Sequence, residues 1–137
     1  PLVIKGIMDP EDARQPAEIG ADGLVVSNHG VRQLDGTVGT AEALPAIAAA
    51  VGERMTVLVD GGVRNGLDVL RMMALGANGV MIGRPWAFAL AAGGEEAVSR
   101  MLAQMALEFR SGLALTGCGS VADIGPHILT GRPNWPL

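Results

Sequence analysis

Apolar residues gather in four short runs, at residues 2–5, 23–28, 56–60 and 79–83. Val3-Ile4, Leu24-Val25-Val26, Val57-Leu58-Val59 and Val80-Met81-Ile82 show no polar alternation. That pattern predicts strands buried on both faces, as in a parallel sheet. Helical periodicity fills the spaces between them. Residues 10–19 follow Asp9, a good N-cap, with Pro10 at the first helical position. Residues 40–51 place Ala43, Leu44, Ile47 and Ala50 on one side, with Gly52 where a C-cap glycine belongs. Residues 66–75 turn Leu67, Leu70, Met73 and Ala74 inward and close at Gly76. Pro16 interrupts the first helix, which predicts a kink near its start.

The two joints Ile19-Gly20-Ala21-Asp22-Gly23 and Leu75-Gly76-Ala77-Asn78-Gly79 are near copies, each leading from a helix into a strand. Repeated β-α units with short αβ turns build either a (β/α) barrel or an open α/β sheet. After Pro85 the pattern is wholly helical, with one amphipathic helix over 95–115 and a short helix over 120–124. Four strands cannot close a barrel that needs eight. The chain therefore reads as a small open sheet or as half of a barrel. Its start inside an apolar strand, at Pro1-Leu2-Val3-Ile4, favours a piece of something longer.

Composition narrows the function. With 49% hydrophobic and 18% charged residues in 137, there is material for one buried core and no case for disorder. Aromatics are 3% and the net charge is -4, which argues against a nucleic-acid surface of stacked rings and basic side chains. One cysteine, Cys118, forms no intrachain disulfide and points to a reducing compartment such as the cytoplasm. No apolar stretch approaches the roughly 20 residues of a membrane span.

Candidate chemistry sits at the carboxyl ends of the runs, where parallel α/β folds keep it. These ends carry Lys5, the only lysine; Ser27-Asn28-His29-Gly30 and Arg32; Asp60-Gly61-Gly62-Val63-Arg64; and Gly83-Arg84-Pro85. The opposite ends are bland. Gly61-Gly62 lets backbone N–H groups approach an anion, and the helix beginning near Gly66 points its positive end there. Gly83-Arg84 adds a second tight turn and a guanidinium that can grip a phosphate through two oxygens. A lysine closing a buried strand needs an anion or acceptors, unless its ammonium reaches water. His29 is suited to taking a proton near neutral pH. Arg32 suits a carboxylate, or alternatively a surface ion pair with Asp35. His127, beside Pro126, reads as structural.

These residues together resemble the FMN-dependent α-hydroxy-acid oxidoreductases, the family of glycolate oxidase, lactate oxidase and dehydrogenase, mandelate dehydrogenase and flavocytochrome b2. The resemblance runs through Pro1–Gly6, Ser27-Asn28-His29-Gly30-Val31-Arg32-Gln33-Leu34-Asp35, Asp60–Arg64, Gly83-Arg84-Pro85 and Ser120-Val121-Ala122-Asp123. It implies a TIM (β/α)8 barrel in which residues 1–137 are the C-terminal half of one domain and supply strands 5 to 8. By resemblance, His29 is the catalytic base and Arg32 binds the substrate carboxylate. Lys5, Ser27, Asp60, Gly61, Gly62, Val63, Arg64, Gly83 and Arg84 hold FMN. The implied reaction oxidises an (S)-2-hydroxy acid of lactate, glycolate or mandelate type and passes electrons through the flavin to oxygen, a quinone or a cytochrome. The implied assembly is a homo-oligomer, tetrameric as members often are.

Two alternatives stand beside it: another phosphate-binding barrel, with flavin or with isomerase chemistry, and an inactive half-barrel. Two departures also stand out. The family commonly has glycine where this chain has Val31, so a loop needing positive φ would be strained here. The family's substrate-side tyrosine has no counterpart in a chain without tyrosine.

Overall fold

The computed structural model describes residues 1–130. Strands and helices alternate as β1 (Val3–Ile7), α1 (Pro10–Glu18), β2 (Gly23–Val26), α2 (Thr40–Val51), β3 (Thr56–Val59), α3 (Gly66–Ala74), β4 (Gly79–Val80) and α4 (Arg84–Leu115). Short polar side chains open the helices. Asp9 accepts the N–H groups of Glu11 and Asp12 at the start of α1, and Asn65 accepts that of Asp68 at the start of α3. Pro16 lies within α1 and is buried there. Gly52 ends α2 with an ordinary right-handed φ of -62°.

The four strands are parallel and stand in chain order, β1-β2-β3-β4. Right-handed crossovers with no reversal of order place successive helices on one face of the sheet. A doubly wound sheet would need a reversal, and none occurs. One core follows from this: Leu24, Val26, Val57 and Val59 face Leu44, Ile47 and Val51 of α2, with Ala13, Met72 and Met105 from the other helices. The opposite face carries Lys5, Val25 and Leu58 in register.

Only β2 is buried along its whole length. The expectation of strands covered on both faces fails for β1, β3 and β4, because burial depends on neighbours and β1 and β4 are edges. The fourth strand shrinks to two residues, and the first extends to Ile7 through a bulge between Lys5 and Ile7. In α3 the buried set is Gly66, Leu70, Met72 and Ala74, while Leu67 is exposed. The helix is covered by the sheet on one side and by α4 on another, so a single inward stripe does not describe it. Helix α4 runs from Arg84, in line with the wholly helical pattern after Pro85, and breaks at Gly93 and Gly94, where φ is -164° and 63°, so that the expected helix over 95–115 is its second segment. The short helix after it is a 3-10 turn, Val121–Asp123, closed by reciprocal hydrogen bonds between Ser120 and Asp123.

Glycine lets α3 and α4 touch through backbone. A Cβ on Gly66 would stand 2.2 Å from the Met105 carbonyl oxygen and 2.3 Å from the Phe109 nitrogen. Glu108, between them, accepts the Gly66 N–H at 2.9 Å, and Gln104 donates to its other oxygen at 3.0 Å. These bonds, Gln104 first, hold the Glu108 carboxyl below its ordinary pKa.

Two outcomes follow. Gly66→Ala forces α3 off α4 and is expected to cost about 2 kcal/mol or more, read by denaturant melts. A carboxyl whose folded pKa is lowered stabilises the fold above the ordinary carboxylate range and loses that contribution as the pH falls through its lowered value. Glu108→Gln is therefore expected to be less stable than the native chain at neutral pH, with the difference closing as the pH falls through that lowered value.

Candidate functional site

The carboxyl ends of β1, β2 and β3 meet at one side chain. The Lys5 ammonium donates to the Ser27 hydroxyl at 2.7 Å and pairs with the Asp60 carboxylate at 2.8 Å. Ser27 is buried and also accepts the His29 N–H at 3.2 Å, so it links the lysine to the loop that follows β2. Its own proton is then free for a further acceptor. The second Asp60 oxygen, Oδ1, is buried without a partner. A buried acceptor left open in this way suits a ligand hydroxyl.

The loop after β2 is a tight turn of unusual hand. His29, Gly30 and Val31 all take positive φ, at 56°, 68° and 62°. Asn28 organises the turn: its Oδ1 accepts the Gly30 N–H at 3.1 Å, its Nδ2 donates to the Val38 carbonyl at 3.2 Å, and its own carbonyl accepts the Val31 N–H at 3.0 Å. For a β-branched residue such φ is a true outlier, worth about 1–3 kcal/mol. The strain expected at Val31 is therefore present. The turn also brings the loops after β2 and β4 together, since a Cβ on Gly30 would lie 4.0 Å from both the Arg32 Cδ and the Arg84 Nη2.

An anion cradle lies beside the turn. Gly61 and Gly62 have φ of 92° and 76°, and nothing lies within 4 Å of a Cβ built on Gly62 or Gly83. The N–H groups of Gly61, Gly62, Val63 and Arg84 have no backbone acceptor outside their own elements among the described residues. Two N–H groups at the start of α3 are taken, that of Gly66 by Glu108 and that of Asp68 by Asn65, while Asp68 accepts the Arg64 N–H at 3.1 Å. Two α-helix starts have no side-chain cap, that of α2 at Gly39 and that of α4 at Gly83. At Gly83 the positive end of the helix dipole and Arg84 act together.

Lys5, Ser27 and Asp60 thus form one bonded group, with His29 attached through Ser27. Asn28, Gly30, Gly61, Gly62 and Arg84 line one open groove. Among the described residues Arg32, Arg64 and Arg84 enter no ion pair, so the alternative pairing of Arg32 with Asp35 does not form. No contact ties the Arg64 guanidinium to this group. Val63 is a core residue whose side chain packs inward, leaving its backbone for any ligand. His127 is exposed in the turn Pro126–Ile128 and lines the far part of the groove. Asn28 and the left-handed Gly6 went unassigned a role from sequence; the Asn before His-Gly and the Gly after Lys were the signals available. Among the described residues no cluster of His, Cys, Asp or Glu could hold a metal, and no helix is long and apolar enough to cross a membrane.

The fold is a singly wound parallel α/β sheet, with a glycine-rich cradle and a histidine turn at the carboxyl ends of its strands. The chain belongs to the FMN-dependent dehydrogenase family, whose model matches residues 1–131. It is 63% identical over 132 residues to an L-lactate dehydrogenase of Caulobacter vibrioides, covering 96% of this chain and 34% of that protein. An L-lactate dehydrogenase of Pectobacterium atrosepticum is 58% identical over 124 residues, covering 90% of this chain and 32% of the relative. Among solved structures, mandelate oxidase with (S)-4-hydroxymandelic acid superposes with a TM-score of 0.87 at 52% identity, over 89% of this chain and 34% of that one. Mandelate oxidase with benzoyl-formic acid gives the same score and identity, over 36% of its chain. The chain spans about a third of the length of the relatives it matches.

The residues fit FMN on their own geometry: an open buried acceptor at Asp60, a cradle of glycines, an uncapped helix end and unpaired arginines. Val31→Gly relieves the backbone strain in this site and is expected to raise stability by about 1 kcal/mol in thermal melts, with Val31→Ala giving clearly less.

Proposed function

We propose that this chain supplies strands 5 to 8 of a TIM (β/α)8 barrel, and that the completed enzyme oxidises an (S)-2-hydroxy acid of lactate, glycolate or mandelate type to the 2-oxo acid. Residues 1–137 would be the C-terminal half of that single FMN-binding domain. Strands in unbroken chain order, two open sheet edges and relatives about three times as long support the architecture. Val3 and Met81, at the two edges, are both exposed apolar residues.

The observation that carries the function is the seating of His29 beside the Lys5–Ser27–Asp60 group. Asp60 and Ser27 would bind the polar arm and ring of FMN. The backbone of Gly61, Gly62, Val63 and Gly83, with Arg64 and Arg84, would hold its phosphate. Bound flavin supplies the acceptor for two electrons. Arg32 would grip the substrate carboxylate and so orient the α-carbon toward His29. His29 would take one proton, either from that carbon or from the hydroxyl, and bound flavin would be the acceptor for the electron pair together with the other proton. Two protons and two electrons are removed, and the hydroxyl becomes a carbonyl. Lys5 would hold positive charge beside the bound flavin, where it favours extra negative charge on the ring.

The electron acceptor of the completed enzyme would be oxygen, a quinone or a cytochrome. Its assembly would be a homo-oligomer, tetrameric by family resemblance, and its location the cytoplasm. The isolated chain is expected to be inactive, because both sheet edges are unpaired.

Co-expression with the complementary N-terminal part of the Caulobacter vibrioides relative tests this. A yellow complex bleached by lactate, glycolate or mandelate is expected. His29→Ala should keep the colour and lose at least 100-fold, roughly, in bleaching rate. A colourless complex would end the FMN reading, and undiminished bleaching by His29→Ala would remove His29 as base.

A further inference from the structure

We propose that Gly6 is a positioning residue for the His29 imidazole, a role that rests on the reading of His29 as base. The observation is steric. A Cβ on Gly6 would stand 2.7 Å from His29 Cε1, with Nδ1 at 3.5 Å and Nε2 at 3.6 Å. The ring therefore meets the strand by its Cε1 edge, and its two nitrogens flank the contact. Carbon atoms in ordinary contact sit about 3.5–4.0 Å apart, so any side chain here drives the ring back by close to 1 Å.

Two further features place Gly6 in this role. Its φ of 103° excludes other residues without strain, and it is the extra residue of the bulge between Lys5 and Ile7. The bulge lets β1 bring the Lys5 ammonium to Ser27 and Asp60, while the next residue passes against the imidazole. On the other side the ring is held from its own backbone, through the left-handed turn and the His29 N–H bond to Ser27. His29 is exposed and its imidazole makes no hydrogen bond among the described residues, so no bond opposes the contact with Gly6 in positioning the ring. What an added Cβ meets is the far end of a side chain, not backbone, so the ring yields before the sheet does.

The test uses the full-length flavoenzyme and three variants: Gly6→Ala, Gly20→Ala and His29→Ala. Gly20 also has positive φ, at 81°, with nothing within 4 Å of a built Cβ, so it carries backbone strain alone. Gly6→Ala is expected to retain flavin colour, to lose about 100-fold in kcat and to change KM little, because Arg32 is untouched. The Hε1 resonance of His29, assigned by its loss in His29→Ala, should move in Gly6→Ala and stay in Gly20→Ala. Stability gives a reading independent of turnover. The drop in Tm from Gly6→Ala should exceed that from Gly20→Ala, and the excess should vanish in the Gly6→Ala/His29→Ala double variant. If Gly6→Ala fails to fold, recovery of folded protein in the double variant supports the contact, and failure there overturns it. Unchanged kcat and an unmoved Hε1 resonance in Gly6→Ala overturn the proposal even if His29→Ala is inactive. Full activity in His29→Ala removes the base reading instead, while the Tm coupling still reports the contact.

Discussion

One ammonium group holds three strand ends together. Lys5 reaches Ser27 and Asp60 at hydrogen-bond distance, so β1, β2 and β3 end on a common point. The net energy of such a partly exposed pair is small. Its weight lies in what happens when one partner goes, since the Asp60 carboxylate is mostly buried and would be left uncompensated. The backbone of the His29 turn hangs on the same serine, and the bulge that delivers Lys5 also delivers Gly6 to the imidazole. Charge, turn and ring are thus set by one local arrangement, and the anion cradle is built next to it.

Much of this was legible from residue order alone. Alternating apolar runs and helical periods gave the β/α repeat, and α2 occupies residues 40–51 as expected, although of the expected inward set Ala43, Leu44, Ile47 and Ala50 only Leu44 and Ile47 are buried, joined by Thr40 and Val51. The polar residues at the strand ends fell on one side because parallel strands joined by helices all point the same way. Even the strain at Val31 could be foreseen, since the need for positive φ is a local property of the turn.

What was not legible depends on distance along the chain. The Glu108 cap on Gly66 joins residues 42 apart, and no local pattern announces that α3's first turn is spoken for. The Gly6–His29 contact likewise joins β1 to the loop after β2. Burial of a strand depends on which neighbours it finds, so the apolar run around Val3 became a wet edge and the one around Val80 kept only two paired residues. The helical arm before Gly93-Gly94 was expected from the pattern after Pro85, but not how exposed its apolar side chains are.

That arm has a mechanical meaning. Arg84 rides on the short segment ahead of the glycine break, whose Trp86, Phe88 and Leu90 are all exposed, while the segment after the break is anchored to α3 through Met105 and Gly112. The two segments therefore need not melt as one cooperative unit. In this chain the arm could fray while the wall behind it stays folded, so local opening and global denaturation would be separate events with separate barriers.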